Sequence, residues 1–245
     1  MGASDRPNVL FVVLDTARAD HFGPFHGRAY TPAFDSLAER GQAAVAISTS
    51  PWAVPSHASM FTGLLPFDHG VTGAAAITAD RRLASLRPAI ERLRDRWLPS
   101  VLSAAGYRTI GISANPWISG EMGFDLGFEE FHPVGPAGAK PSVAEPDHHW
   151  RMRDLAPEGL RRRAGRTSGR LRDASSGRDL GSREALEHVR ALADDTGDRR
   201  PWFLFLNVME AHAPYLPPRG FGELAPRDRF KGPALHRRYM NEEFL

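Results

Sequence analysis

The sequence predicts an α/β fold in which helices flank a mostly parallel sheet. Two unbroken apolar runs of strand length, at residues 8–14 and 201–208, support this prediction. Such runs are typical of strands that are buried on both faces of a parallel sheet. Helix-like segments lie between them, which is the alternation of an α/β chain. At 245 residues, one domain of this class is the expected size.

The amino-acid composition excludes some kinds of partner and of metal site. The apolar fraction of 42% and the charged fraction of 24% are ordinary for a globular protein. The formal charge of +2 is close to balance, so charge alone implies no nucleic-acid or membrane partner. The chain has no cysteine, which excludes disulfides and thiolate metal sites. We find neither a signal-peptide pattern nor an apolar run of membrane-spanning length, so a cytoplasmic location is the default expectation.

The first apolar run ends at a residue that can carry chemistry. Asp15 follows residues 8–14, and ligands of open α/β sheets gather beyond the carboxyl ends of the strands. An aspartate at this position is either a metal ligand or a cap for the next element. The residues alone leave both interpretations open.

A helix and a short strand are predicted next. Thr31 can cap the helix, Pro32 suits its first turn, and Gly41 suits its end. Residues 42–48 then predict a short second strand that leads into the following loop.

Residues 50–63 predict a loop that enters a short helix. Pro55 suits the first helical position, and Gly63 suits the residue just past the end. The free N–H groups of the first turn would then point at the surroundings of Ala53, which favours an anion site. His57, one turn into the helix, can add a hydrogen-bond donor or a positive charge.

Two further helices are predicted, at 88–105 and 182–193, and Ser182 is predicted to cap the second. Gly106 closes the first helix, and residues 107–113 predict the next strand. Asn115 follows that strand and is either a site residue or a turn former, because Asn-Pro is itself a turn signal.

The composition changes between residues 133 and 181, where Pro, Gly, Ser and Arg dominate. The arginine-rich part could bind an anionic polymer or lipid, but no aromatic residue is interleaved for base stacking. We therefore predict a solvated, flexible insertion around 133–181 within a single domain that spans residues 1–245.

Three motifs resemble those of the sulfatases, in the alkaline-phosphatase-like superfamily. Residues 15–20 are similar to the opening metal motif of that family. Residues 53–63 are similar to its signature, which contains a nucleophile, Pro-Ser, a basic residue and Thr-Gly. Residues 210–215 follow an apolar strand and resemble its acidic-x-His-x-Pro-Tyr segment. The resemblance thus implies an alkaline-phosphatase-like sheet and metal-assisted hydrolysis of a small sulfate ester.

The resemblance also implies roles for single residues. The candidate site residues are Asp15 and, more weakly, Thr16 for the metal, His57 and His212 for catalysis, and Ser56 and Asn115 for substrate binding. The implied cofactor is a divalent metal, either calcium or magnesium or manganese. The implied partner is a small anionic ester, and a phosphonate or phosphate monoester is the closest alternative. No nucleic acid or membrane partner is expected.

The sequence departs from the family pattern at the nucleophile. Ala53 stands where sulfatases carry a Cys or Ser that becomes formylglycine, or an unmodified Ser or Thr. No formylglycine can form at Ala53, and alanine has no atom able to attack. The Lys and His that the family places after Ser113 are missing, and so is a later Asp-(Asn/His)-Gly segment.

These departures predict the N-terminal part of a sulfatase catalytic domain, truncated at its C-terminus, with impaired activity. Metal binding is predicted to be weak or absent, because a metal site needs its full set of ligands. The alternative is a non-catalytic fragment that binds an anion or a partner. The sequence predicts no oligomeric state.

Overall fold

One parallel sheet organises the chain. The computed structural model describes residues 6–27, 29–72, 85–135, 179–195 and 197–212. Within them the strands are β1 (Val9–Leu14), β2 (Arg108–Ser113), β3 (Glu130–Pro133) and β4 (Trp202–Val208). Their order is β1-β4-β2-β3, and every neighbouring pair is parallel. The predicted α/β class with a mostly parallel sheet is therefore confirmed.

Helices flank this sheet. They are α1 (Pro32–Arg40), α2 (Ala53–Thr62), α3 (Pro66–His69), α4 (Arg87–Glu91), α5 (Leu98–Ala104) and α6 (Ser182–Asp194), with 3₁₀ turns at 19–21, 23–25 and 94–96. None of the helices in the described ranges is long and apolar enough to cross a membrane.

The larger core lies between α2 and the sheet. Phe61 of α2 is 1% exposed and sits at its centre. Its ring lies 4.9–6.4 Å, between centroids, from the rings of Phe11, Trp97, Phe124, Phe128 and Phe205. Aromatic pairs at these separations and tilts add to the stability gained from burial. This packing holds α2 against strands β1 and β4.

The smaller core lies on the other face, under α6. Ala185 of α6 packs with Ile110, Ile112 and Leu204, all almost fully buried. Ser182 was predicted to cap α6, but it is the first helical residue and makes no capping bond. Carboxylates do this instead, since Asp179 Oδ1 accepts from the amides two and four residues later.

Two strand predictions are wrong in part. Residues 42–48 form no strand, because no described backbone segment pairs with them and their side chains are exposed. Strand β1 is present, but it is not buried on both faces. Leu10, Val12 and Leu14 are 41–54% exposed, since β1 lies at the edge of the sheet that the described residues form and α6 covers β2 and β4 instead.

The single helix predicted over 88–105 is also wrong. It is divided into α4, a 3₁₀ turn and α5, with Trp97 in an extended conformation at the break. Pro99 explains the break, because proline has no N–H to donate to the carbonyl four residues earlier and its ring clashes with that carbonyl in a continuous helix. Gly106 follows α5 with φ of 86°, as expected for a residue that ends a helix.

The other elements lie close to their predicted ranges. Helix α1 begins at Pro32 and is followed by Gly41, and α6 and β4 match within two residues. Thr31, however, donates to the carboxylate of Asp35 and not to the helix backbone. Most of the predicted insertion, residues 136–178, and the chain after 212 lie outside the described residues.

Candidate functional site

The carboxyl ends of three neighbouring strands bring polar side chains together. Asp15 follows β1, Asn115 follows β2, and Asn207 lies in β4. Asn115 Nδ2 donates to Asp15 Oδ2 at 2.7 Å, and the Asp15 amide donates to Val208 O at 2.9 Å. Asn115 Oδ1 also accepts from the amide of Trp117, so Asn115 both forms the turn and contacts Asp15.

The N-terminus of helix α2 lies at the same edge of the sheet. The helix begins at Ala53, two residues before the predicted start, and ends at Gly63, whose φ is 69°. Trp52 is extended before it, with φ of −121° and ψ of 144°. The amides of Ala53 and Val54 are in the first turn, where no acceptor exists inside the helix. Residue 53 therefore lies at the positive end of the helix dipole.

His57 ties the start of α2 to the sheet. Its Nδ1 lies 2.7 Å from Ala53 O, and its Nε2 lies 3.0 Å from Asn207 Nδ2. A carbonyl oxygen only accepts, so Nδ1 carries the proton and Nε2 accepts from the asparagine amide. Both ring nitrogens are thereby used, and the residue is 2% exposed. The catalytic role of His57 stays a prediction, and in this arrangement its ring positions α2.

The surroundings of His57 favour its neutral form. Burial lowers the pKa of His57, while its bond to the Ala53 backbone and the charge of Asp15 act in the opposite direction. Burial likewise lowers the pKa of His69, whose ring bonds the Ser59 hydroxyl and the Val71 amide. Protonation of either ring therefore favours the unfolded chain.

We expect the free energy of unfolding to decrease as the pH falls below about 6.5, the ordinary pKa of histidine. A buried histidine with a lowered pKa stabilises the folded chain fully above that pH and loses this contribution as the pH falls through the folded-state pKa. Each such proton contributes a slope of about 1.4 kcal/mol per pH unit. Urea unfolding at several pH values between 5 and 8 measures this slope.

Two variants, His57→Asn and His21→Asn, distinguish the contribution of the buried His57 from that of an exposed histidine. His57→Asn is expected to be less stable but to show a smaller slope, by up to one proton. His21→Asn replaces an exposed ring and is the control for the substitution itself. An unchanged slope in His57→Asn would contradict a neutral, buried His57.

A tight turn brings the second histidine motif to the same edge. The amide of His212 donates to Met209 O, and Thr16 Oγ1 donates to Ala211 O, both at 2.9 Å. Thr16 has a φ of 59°, an uncommon conformation for threonine. The Thr16 side chain therefore joins the residues after β1 to the backbone after β4, with Asp15 and His212 on adjacent segments.

Ser56 is directed at the loop that precedes α2. Its hydroxyl lies 2.9 Å from Ser48 Oγ, which itself donates to Ser50 O at 2.6 Å. Ser56 therefore donates to Ser48, and it is only 7% exposed. Substrate binding by Ser56 and Asn115 stays a prediction, and the bonds seen are structural.

The described side chains do not by themselves fit a divalent cation. Calcium takes six to eight oxygen ligands and favours carboxylates. Asp15 already accepts a hydrogen bond from Asn115, Glu210 accepts from amides at the start of α6, and the Thr16 hydroxyl donates to a carbonyl. In the described ranges no three His, Asp or Glu residues are grouped so as to hold a metal. We therefore derive no chemical step through a metal.

Asn207 is a site residue that the sequence analysis missed. It is fully buried, and its Oδ1 has no hydrogen-bond partner in the described structure. The sequence did contain a signal for Asn207, because it is a single polar residue in an otherwise apolar strand. A buried polar group of this kind needs a hydrogen-bond partner.

Comparisons with known proteins agree with this architecture. A family model described as Sulfatase matches residues 7–232. Among solved structures, the phosphonate monoester hydrolase of Agrobacterium radiobacter is similar, with a TM-score of 0.51 and 17% sequence identity. The alignment covers 91% of this chain and 44% of that hydrolase. No curated protein matches the chain.

Proposed function

Because the chain belongs to the sulfatase family, we propose that it binds small anionic monoesters at the carboxyl edge of its sheet and that Ala53 impairs their hydrolysis. One observation carries most of this proposal. His57 and Asn207 hold the first turn of α2 on the edge where Asp15 lies. A fixed helix N-terminus with unpaired amides is a suitable anion site.

The proposed substrate class is a sulfate monoester. In sulfatase-type hydrolysis a nucleophile attacks the central atom in line, and preorganised donors stabilise the developing charge. In this chain the α2 amides would supply such donors, and His212 would assist the leaving oxygen. Asp15 and Thr16 would be ligands of a divalent metal, and a complete metal site would need further oxygen ligands.

A phosphonate or phosphate monoester is the second candidate substrate. One similar solved structure is a phosphonate monoester hydrolase, and 17% identity to it supports a shared fold alone. This chain spans about 44% of the length of that protein, so turnover remains part of the proposal. The proposed domain, residues 1–245, would then correspond to one part of such an enzyme.

The substitution Ala53→Ser tests the proposal. It places a hydroxyl at the mouth of α2, where the nucleophile of the family stands. We expect no detectable turnover of 4-nitrophenyl sulfate or 4-nitrophenyl phenylphosphonate by the natural chain. In Ala53→Ser we expect turnover at least about tenfold above the detection limit, because removal of a nucleophile commonly costs several orders of magnitude. Release of nitrophenol, with and without Mn²⁺, measures it.

Ala53→Gly is the matched control, since it changes the same residue without adding a hydroxyl. Binding is measured separately by calorimetry with inorganic sulfate and phosphate at constant ionic strength. Binding without turnover in every variant would restrict the function to anion binding. Absence of both binding and turnover would refute the proposed site.

A further inference from the structure

Glu210 lies between the end of β4 and His212, and its role is not explained by the family motif alone. We propose that Glu210 is a positioning residue that fixes the His212 turn against the N-terminus of α6. This inference rests on the proposed function, because it assigns a purpose to the placement of His212.

The carboxylate of Glu210 bonds the start of α6 directly. Its Oε1 accepts from the amide of Leu180 at 3.1 Å and from the amide of Ser182 at 3.0 Å. These amides precede Glu210 by 30 and 28 residues, so the contact joins distant parts of the chain. A carboxylate near unpaired helix amides is favoured by both hydrogen bonding and the helix dipole.

The other side of the turn is fixed to β1. Thr16 Oγ1 donates to Ala211 O, and the His212 amide closes the turn on Met209 O. Residues 209–212 are therefore attached to α6 on one side and to the Asp15 segment on the other. Removal of the Glu210 carboxylate therefore removes the two bonds that join this turn to the start of α6.

Position and charge predict opposite effects of Glu210 on anion binding. As a negative charge near an anion site, Glu210 should weaken binding. As the group that places His212, it should strengthen binding. Glutamine keeps an acceptor oxygen for the two amides and removes the charge, whereas alanine removes both. The two substitutions therefore separate position from charge.

The experiment compares Glu210→Ala, Glu210→Gln and Asp179→Ala in the full chain. Asp179 is a matched control, because its Oδ1 also accepts from two amides at the start of α6, those of Gly181 and Arg183. Affinity for inorganic sulfate and phosphate is measured at constant ionic strength. We expect about tenfold weaker binding in Glu210→Ala only, as is typical when a group that orients a ligand-binding residue is removed.

Hydrogen exchange at the His212 amide provides a readout that needs no ligand. We expect exchange about tenfold faster in Glu210→Ala than in Asp179→Ala, with Glu210→Gln close to the natural chain. Unchanged exchange, or binding in Glu210→Ala as tight as in Glu210→Gln, would overturn the inference. If the natural chain binds neither anion, the proposed function fails, and the exchange rates alone decide the role of Glu210.

Discussion

Replacing Phe61 by alanine is expected to lower the free energy of unfolding by about 3–5 kcal/mol. Phe61 is 1% exposed, and its ring contacts five other aromatic rings from the sheet and the surrounding segments. Alanine would leave a cavity that these rings cannot fill without moving. Urea unfolding followed by circular dichroism measures the loss.

Phe67→Ala is the matched control for this prediction. Phe67 is 96% exposed, so its removal is expected to change the free energy of unfolding by less than about 0.5 kcal/mol. Equal losses in the two variants would contradict the central position assigned to Phe61. A large loss confined to Phe61→Ala would support the view that the helix of the signature motif is also the main support of the core.

Helix α2 both packs in the core and carries residues of the candidate site, which explains why its sequence predicts both. One face of α2 buries Val54, Ala58 and Phe61, and the same helix presents Ala53 and His57 to the carboxyl edge of the sheet. The position of the site is therefore coupled to the packing of the core. A cavity at Phe61 should weaken anion binding as well as stability.

The sequence was most informative where the local pattern determines the structure. The apolar runs identified β1 and β4, and start and stop residues identified α1. The sequence was least informative where contacts between distant parts of the chain determine the local structure. Residues 42–48 are apolar enough for a strand, but a strand forms only with a pairing partner. β3 was not predicted, because Glu130–Pro133 has no apolar run and forms by pairing with β2.

The same distinction applies to the candidate site. The motifs predicted that Asp15, Ala53, His57 and His212 belong to one region, and the structure joins their segments by hydrogen bonds. Their functional roles remain predictions. The partner of His57 could not be read from the motif, since the bond to Asn207 spans 150 residues. The cap that Glu210 provides for α6 was missed for the same reason.

The negative charge of Asp15 is expected to repel an anion bound at the proposed site. Without a cation, a carboxylate beside a bound anion repels it, and at about 4 Å this repulsion reaches a few kcal/mol near a protein surface. Asp15 is 8% exposed, so solvent screens it less than an exposed residue. The anion affinity of the chain in a metal-free buffer should therefore be limited by this side chain.

Asp15→Asn is accordingly expected to bind inorganic sulfate about tenfold more tightly than the natural chain in the presence of a chelator. The amide oxygen of asparagine can still accept from Asn115 Nδ2, so the variant should remain folded. Asp15→Ala removes the same charge but leaves a buried donor without an acceptor, which should cost about 1–3 kcal/mol of stability. Calorimetry and urea unfolding measure the two effects.

Asp20→Asn is the control for charge alone, because its side chain is 60% exposed and paired with Arg18. It should change sulfate affinity by less than about twofold, since exposed charges are largely screened. Unchanged sulfate affinity in Asp15→Asn would place the anion away from Asp15, and weaker binding would contradict the proposed repulsion. Tighter binding would show that the Asp15 carboxylate limits anion affinity when no cation neutralises its charge.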